Sequence, residues 1–177
     1  MIFISCKNKS KTKTATETKN RIDQSVYEMW SGYIESNPEL KDEEIPESDF
    51  FHNNKENANR LAVLTLNGKK KASSGLYSLY KHDNIDLSKV GTKQIITDFD
   101  DKAQAIIENK SVDTISFNKI SKDYAALDMG TDIEPLEKWK KAHWDFFEGI
   151  LEESGEKPNE EMLVVCVKFE IIWTAKH

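Results

Sequence analysis

Lys70 and Ser73 stand three residues apart in the segment Gly68-Lys69-Lys70-Lys71-Ala72-Ser73, and this Lys-x-x-Ser pair is where the sequence has chemistry to offer. A lysine whose proton affinity is lowered by burial or by neighbouring cations can serve as a general base, and Lys69 and Lys71 supply such neighbours. A hydroxyl beside it becomes a nucleophile or a ligand donor. Geometry sets a condition. In a regular strand, residues three apart point to opposite faces, so the two side chains converge only where the chain bends. A plainer reading of the lysines is also open. They follow the end of a helix, where positive charge is favourable by a few tenths of a kcal/mol up to about 1.

An acidic partner has to come from elsewhere, and the loop Leu127-Asp128-Met129-Gly130-Thr131-Asp132 offers two. A carboxylate near Lys70 would orient it and relay protons. Asp132 serves equally as the cap of the helix that follows. Tyr77 and Tyr80 come directly after the lysine segment and are candidates for stacking on a nucleobase; core packing accounts for them as well. His143 falls on the apolar face of a long helix and reads as a core histidine with a satisfied hydrogen bond. Trp139, Trp144, Phe146 and Phe147 read as core and rim packing. The two cysteines, Cys6 and Cys166, form neither a disulfide framework nor a metal-ligand spacing. No metal and no cofactor are expected, and a reducing, cytoplasmic compartment fits. No apolar run approaches the roughly 18 to 20 residues of a membrane span.

The elements that must position these residues are legible from periodicity. Residues 1–21 are rich in Lys, Thr, Ser and Asn without an apolar period, and read as a disordered basic tail. A single domain is expected over 22–177. Ile22, Val26, Met29, Trp30, Tyr33 and Ile34 recur at helical spacing until Pro38 ends the run. Residues 38–50 read as an acidic loop. A second helix is expected over 56–67, with Gly68 at its left-handed end. Gln94–Thr97 and Ala103–Ile107 flank a polar turn and read as a hairpin, with Val112–Ser116 as a further strand. A short helix over 118–127 precedes a long one, which Asp132 would cap, Pro135 would open and Gly155 would close. Leu163–Trp173 alternates as a closing strand. Helices before, within and after short strands predict an α+β fold.

The net charge of −6 is unevenly spread, at +5 over residues 1–21, −7 over 22–60, +4 over 61–93 and −8 over 94–177. An acidic chain makes a poor non-specific nucleic-acid binder. One basic island in it suits a compact anionic or polar ligand. The seven glycines show neither Walker nor dinucleotide-fingerprint spacing.

Several blocks together resemble a known family. Ala62-Val63-Leu64-Thr65-Leu66-Asn67-Gly68-Lys69-Lys70-Lys71-Ala72-Ser73 resembles the helix and Gly-x-Lys-x-x-Thr segment of ASCH domains. Phe117-Asn118-Lys119-Ile120-Ser121 with Tyr124-Ala125 is similar to the block that follows. Trp139 to Phe147 and the closing Val164 to Glu170 resemble the bacterial YhfF-like subgroup. The resemblance runs in order from about residue 22 to 173. It implies a PUA-like small β-barrel with flanking helices, and a partner that is RNA or a modified nucleoside or nucleotide. Some small members are amidohydrolases that deacylate N4-acetylcytidine, and others are ribonucleases. Carried over by position, the amidohydrolase site would be Lys70, Ser73 and Asp128, with Ser for Thr and Asp for Glu. The shorter carboxylate costs about an ångström of reach, and a misplacement of about 1 Å can cost 10²-fold in rate.

The expectation is therefore a binding module whose cleft is lined by Lys70, Ser73, Tyr80 and Asp128, with Lys69, Lys71, Tyr77 and Asp132 as further ligand contacts. The alternative is a metal-independent hydrolase in which Lys70 is the base, Ser73 the nucleophile or water-positioning group, and Asp128 the orienting acid.

Overall fold

Why the second half of the chain folds as it does begins with a strand of poor strand-forming residues. Ala72–Leu76 (β2) contains Ser73, Ser74 and Gly75, types with little preference for extended structure. It is a strand because Leu163–Trp173 (β5) pairs with it antiparallel, Ala72 opposite Lys168 and Leu76 opposite Val164. A computed structural model of the protein describes residues 22–152 and 155–174; the expected basic tail lies outside them. The described chain falls into two compact units.

One unit comprises residues 22–66, 93–107 and 171–174. Gln24–Ser36 (α1) starts at Asp23, whose carboxylate accepts from the Ser25 amide at 2.8 Å, satisfying a donor that the helix itself leaves open. Its buried face, Val26, Met29, Trp30 and Tyr33, packs with Ile95 and Ile106. Lys55–Leu66 (α2) buries Ala58, Ala62 and Thr65. Ser48–Asp49 (β1) lies parallel to Lys93–Thr97 (β3), Ser48 opposite Ile95. β1 falls in the segment expected as loop; a two-residue strand carries no periodicity to read.

The other unit comprises residues 67–92, 108–152 and 155–170. After β2 the chain turns into the short helix Tyr77–His82 (α3), then, past Phe117–Lys119, into Lys122–Met129 (α4) and Pro135–Glu152 (α5). Its main core joins Ala72, Leu76, Phe117, Tyr124, Trp139, Phe147, Val164 and Cys166. Fully burying one large apolar side chain of this kind contributes about 1.5–3 kcal/mol. A second cluster of Tyr80, Val165 and Val167 covers the opposite face of the β2–β5 ladder.

The strands run in the order β1-β3-β4-β5-β2, where β4 is Ala103–Ser116. The expected strands at 103–107 and 112–116 are one strand of 14 residues. Glu108-Asn109-Lys110-Ser111 reads as a break because it is polar, but it holds no glycine or proline to force a turn. The mixed α+β expectation is met. The order is open, with β1 and β2 at its two ends, so the sheet by itself does not make a closed barrel.

Candidate functional site

Asp128 sits at the last turn of α4, a helix opened by Ser121, whose hydroxyl accepts from the Tyr124 amide at 3.2 Å, and closed by Gly130 in the left-handed conformation at φ 65°. Tyr124 and Asp128 are four residues apart and therefore share one helix face. On α5, Trp139 and His143 have the same spacing, and their rings stack with centroids 4.2 Å apart. On the strand side the governing period is two. Lys70, Ala72, Ser74 and Leu76 lie on the face that meets α4 and α5, while Lys71, Ser73 and Gly75 lie on the other.

These three periodicities converge on one carboxylate. Lys70 Nζ donates to Asp128 Oδ1 at 2.5 Å and to the Asp128 carbonyl at 2.9 Å. Asp128 Oδ2 accepts from Ser74 Oγ at 2.6 Å and from Trp139 Nε1 at 2.8 Å, and lies 3.3 Å from His143 Nε2. Lys70 and Asp128 are only 4% and 3% exposed. Burial alone would push the Asp128 carboxyl up. The charge of Lys70 beside it, together with the His143 contact, outweighs burial and holds the group well below the usual carboxylate range. His143 Nδ1 lies 2.9 Å from the Trp139 carbonyl. Both ring nitrogens thus face oxygen atoms. Tyr124 Oη donates to the Ser73 carbonyl at 2.7 Å, and burial raises its phenol well above the ordinary value. The main chain is pinned at the same place: the Lys71 amide donates to the Leu127 carbonyl at 2.8 Å, and the Lys71 carbonyl accepts from Phe169 at 2.9 Å.

What this arrangement can do follows from where its protons are. The Ser74 hydroxyl donates its proton to Asp128 Oδ2, so the carboxylate fixes where the serine oxygen points. Lys70 enters as a donor to two oxygens. The half-buried Ser74 and His143, the latter 15% exposed, are the members of the cluster that reach toward solvent.

The structure brings together two of the three residues carried over by position, Lys70 and Asp128. It does not bring Ser73 to them. The bend that convergence required is absent, and Ser73 pairs with Val167 on the opposite face, 7% exposed. Lys69 and Lys71 have exposed side chains beside the buried Lys70. Tyr77 is half-buried with Lys81 Nζ 5.6 Å from its ring centre. Tyr80 is 6% exposed in the Val165–Val167 cluster, and burial pushes its phenol up to about 12. Asp132 is exposed and falls short of a cap, because α5 begins at Pro135 and Glu134, at φ 48°, precedes it. Ser74, Tyr124 and Trp139 join the cluster without having been among the expected site residues, and His143, expected in the core, joins it too. Their signal was the spacing: Lys70 and Ser74 four apart along extended chain, and two helical pairs four apart. Among the described residues no three His, Cys, Asp or Glu side chains gather as a group that could hold a metal ion, and no helix is long and apolar enough to cross a membrane.

A sequence model described as the ASCH domain matches residues 47–173. The crystal structure of an ASCH domain from Lactobacillus crispatus JV V101 is 30% identical and superposes with a TM-score of 0.78, covering 86% of this chain and 96% of its own. Protein EF3133 from Enterococcus faecalis V583 is also 30% identical, with a TM-score of 0.76 over 84% of this chain and 88% of its own. No protein of curated function matches. The matched span takes in the lysine turn, the α4 carboxylate, α5 and the closing strand, and the chain belongs to the ASCH domain family.

Proposed function

We propose that this ASCH protein binds RNA, a nucleoside or a nucleotide at the site centred on Lys70 and Asp128. One observation carries the reading: the Asp128 carboxylate already accepts from Lys70, Ser74 and Trp139 and has His143 Nε2 3.3 Å away. A carboxylate so occupied fixes the directions of its neighbours' polar atoms and has little capacity to take up a proton, which is what recognition needs and general-base catalysis does not. The YhfF-like, PUA-like kinship that the sequence resemblance implies would bring the same class of partner. Ser73, Tyr80, Lys71 and Tyr77 enter this reading as the support on the far side of β2, and Lys69 and Asp132 as contacts at the rim.

A second reading, hydrolysis of an N4-acylated cytidine, is favoured by one contact, the Ser74 hydroxyl 2.6 Å from Asp128 Oδ2. In it Ser74, and not Ser73, would be the hydroxyl beside the Lys70–Asp128 pair. Calorimetric titration of the full chain with nucleosides, nucleotides and short RNAs, run beside chromatography of N4-acetylcytidine, separates the two. Saturable heat without turnover supports binding. Turnover that disappears in Ser74→Ala supports the hydrolase. The absence of both overturns the proposal.

A further inference from the structure

Lys168 lies on the same face of the β2–β5 ladder as the Asp128 cluster. Ser74 is opposite Cys166, and Ala72 is opposite Lys168. Paired residues share a face, and residues two apart along a strand return to that face about 6.6 Å away. Lys168 is thus the next side chain along β5 from the residue facing Ser74, and it is exposed. Cys166, opposite Ser74 on this face, is buried, and burial pushes its thiol up to about 12.

The charge balance on this face is uneven. Asp128 is matched by Lys70 and also faces His143. Among the described residues Lys168 has no carboxylate at ion-pair distance; the acid that follows on its face, Glu170, is 3.8 Å from Lys110. Asp113 and Asp128 are the acids felt at Cys166. A solvated ammonium beside a buried, internally neutralised polar cluster offers an anion a charge-assisted contact that no protein group fills.

We infer that Lys168 is a binding residue of this site and takes a phosphate ester, so that the preferred ligand is a nucleotide or an RNA phosphate and not a bare nucleoside. The inference rests on the binding function proposed above. It is tested by titrating the full chain with cytidine, cytidine 5′-monophosphate, the dinucleotide CpC and inorganic phosphate, in wild type, Lys168→Glu and Lys157→Glu. Lys157 is exposed in the loop before β5 and controls for net charge. The expected result is about 10-fold tighter binding of the monophosphate than of cytidine, a gain that Lys168→Glu removes and Lys157→Glu keeps, with cytidine affinity unchanged in both. A gain for CpC comparable to that for the monophosphate assigns the contact to an RNA linkage; a gain for the monophosphate alone assigns it to a terminal phosphate. Equal affinity for cytidine and its monophosphate, an equal effect of both substitutions, or capture of inorganic phosphate alone overturns the inference and leaves nucleoside binding standing. No binding of any probe overturns the binding function itself, and this inference with it.

Discussion

Replacing Asp128 by Asn keeps the shape of the side chain and removes its charge, and the outcome can be worked from the contacts. The amide nitrogen must take one of two places. At the Oδ1 position it meets the Lys70 ammonium; at the Oδ2 position it meets the Trp139 N–H, the Ser74 hydroxyl and His143. In either case a donor faces a donor, and Lys70 is left 4% exposed without its counter-charge. Breaking a buried pair from one side costs about 3–5 kcal/mol, a large share of the roughly 5–15 kcal/mol that holds a domain folded. For a chain of this size that is a fall in Tm of about 10 °C or more. Urea denaturation followed by circular dichroism measures it. The double variant Lys70→Met/Asp128→Leu, which removes both charges and refills the space, is expected to recover most of the loss, because apolar replacement of a whole buried pair is often neutral or better. Acid adds a second readout. The Asp128 carboxyl is held below its unfolded value, so its stabilisation is complete above about pH 5 and drains away as pH falls from the unfolded pKa near 4 toward the folded one. Asp128→Asn should flatten that part of the acid limb. A loss below about 1 kcal/mol in the single variant, with an unchanged acid limb, would refute the view that the ionised pair organises the site.

Two further substitutions test the packing. Gln94 is 2% exposed and both atoms of its side-chain amide lack a hydrogen-bond partner among the described residues, so Gln94→Leu should raise stability by about 1 kcal/mol; a lower Tm would mean that the amide is satisfied in solution. Gly75→Ala would set a methyl 2.9 Å from Tyr80 Oη and should cost about 1–3 kcal/mol, with Tyr80→Phe in the same chain restoring part of it; if the double variant is no more stable than the single one, the clash lies elsewhere. Cys166, 2% exposed with its thiol raised to about 12, should react with Ellman's reagent only as fast as the chain opens, so the rate should rise across the urea transition and not before it.

What the sequence made legible divides by physical cause. α1, α2, α5 and β5 each carry a long apolar period, and each appears within a few residues of where that period places it. β2 and α3 were invisible because their formation is a matter of partners: Ser-Ser-Gly becomes strand under the pairing of β5, and Tyr77–His82 spans barely more than one turn. The site was half legible. Lys70 stood out in its Lys-x-x-Ser pair and Asp128 as an acidic partner from the loop, the resemblance joined them, and the structure puts them in contact. The hydroxyl that meets the carboxylate is that of Ser74 and not Ser73, since a motif counted in threes ignores a backbone that alternates in twos, which sends Ser73 to the Val167 face. His143 was assigned to the core from its apolar helical face, and that face is where it stacks on Trp139 and meets Phe147; only the register of α5 against α4 shows that its far nitrogen reaches Asp128.

The contacts of Asp128 also differ in how far apart in the chain their partners begin. The Trp139 bond closes 11 residues, whereas the Lys70 bond closes 58. Closing the longer loop costs more chain entropy, and that cost falls before the contact repays it. During folding the α4–α5 hairpin can therefore present a carboxylate already met by an indole, with Lys70 and Ser74 delivered afterwards as β2 docks. An ion pair completed after the rate-limiting step acts on the reverse reaction. If the pair forms in that order, Lys70→Met is expected to leave the rate of folding nearly untouched and to accelerate unfolding, which stopped-flow refolding and unfolding would show; a slowed folding rate would place the pair in the transition state.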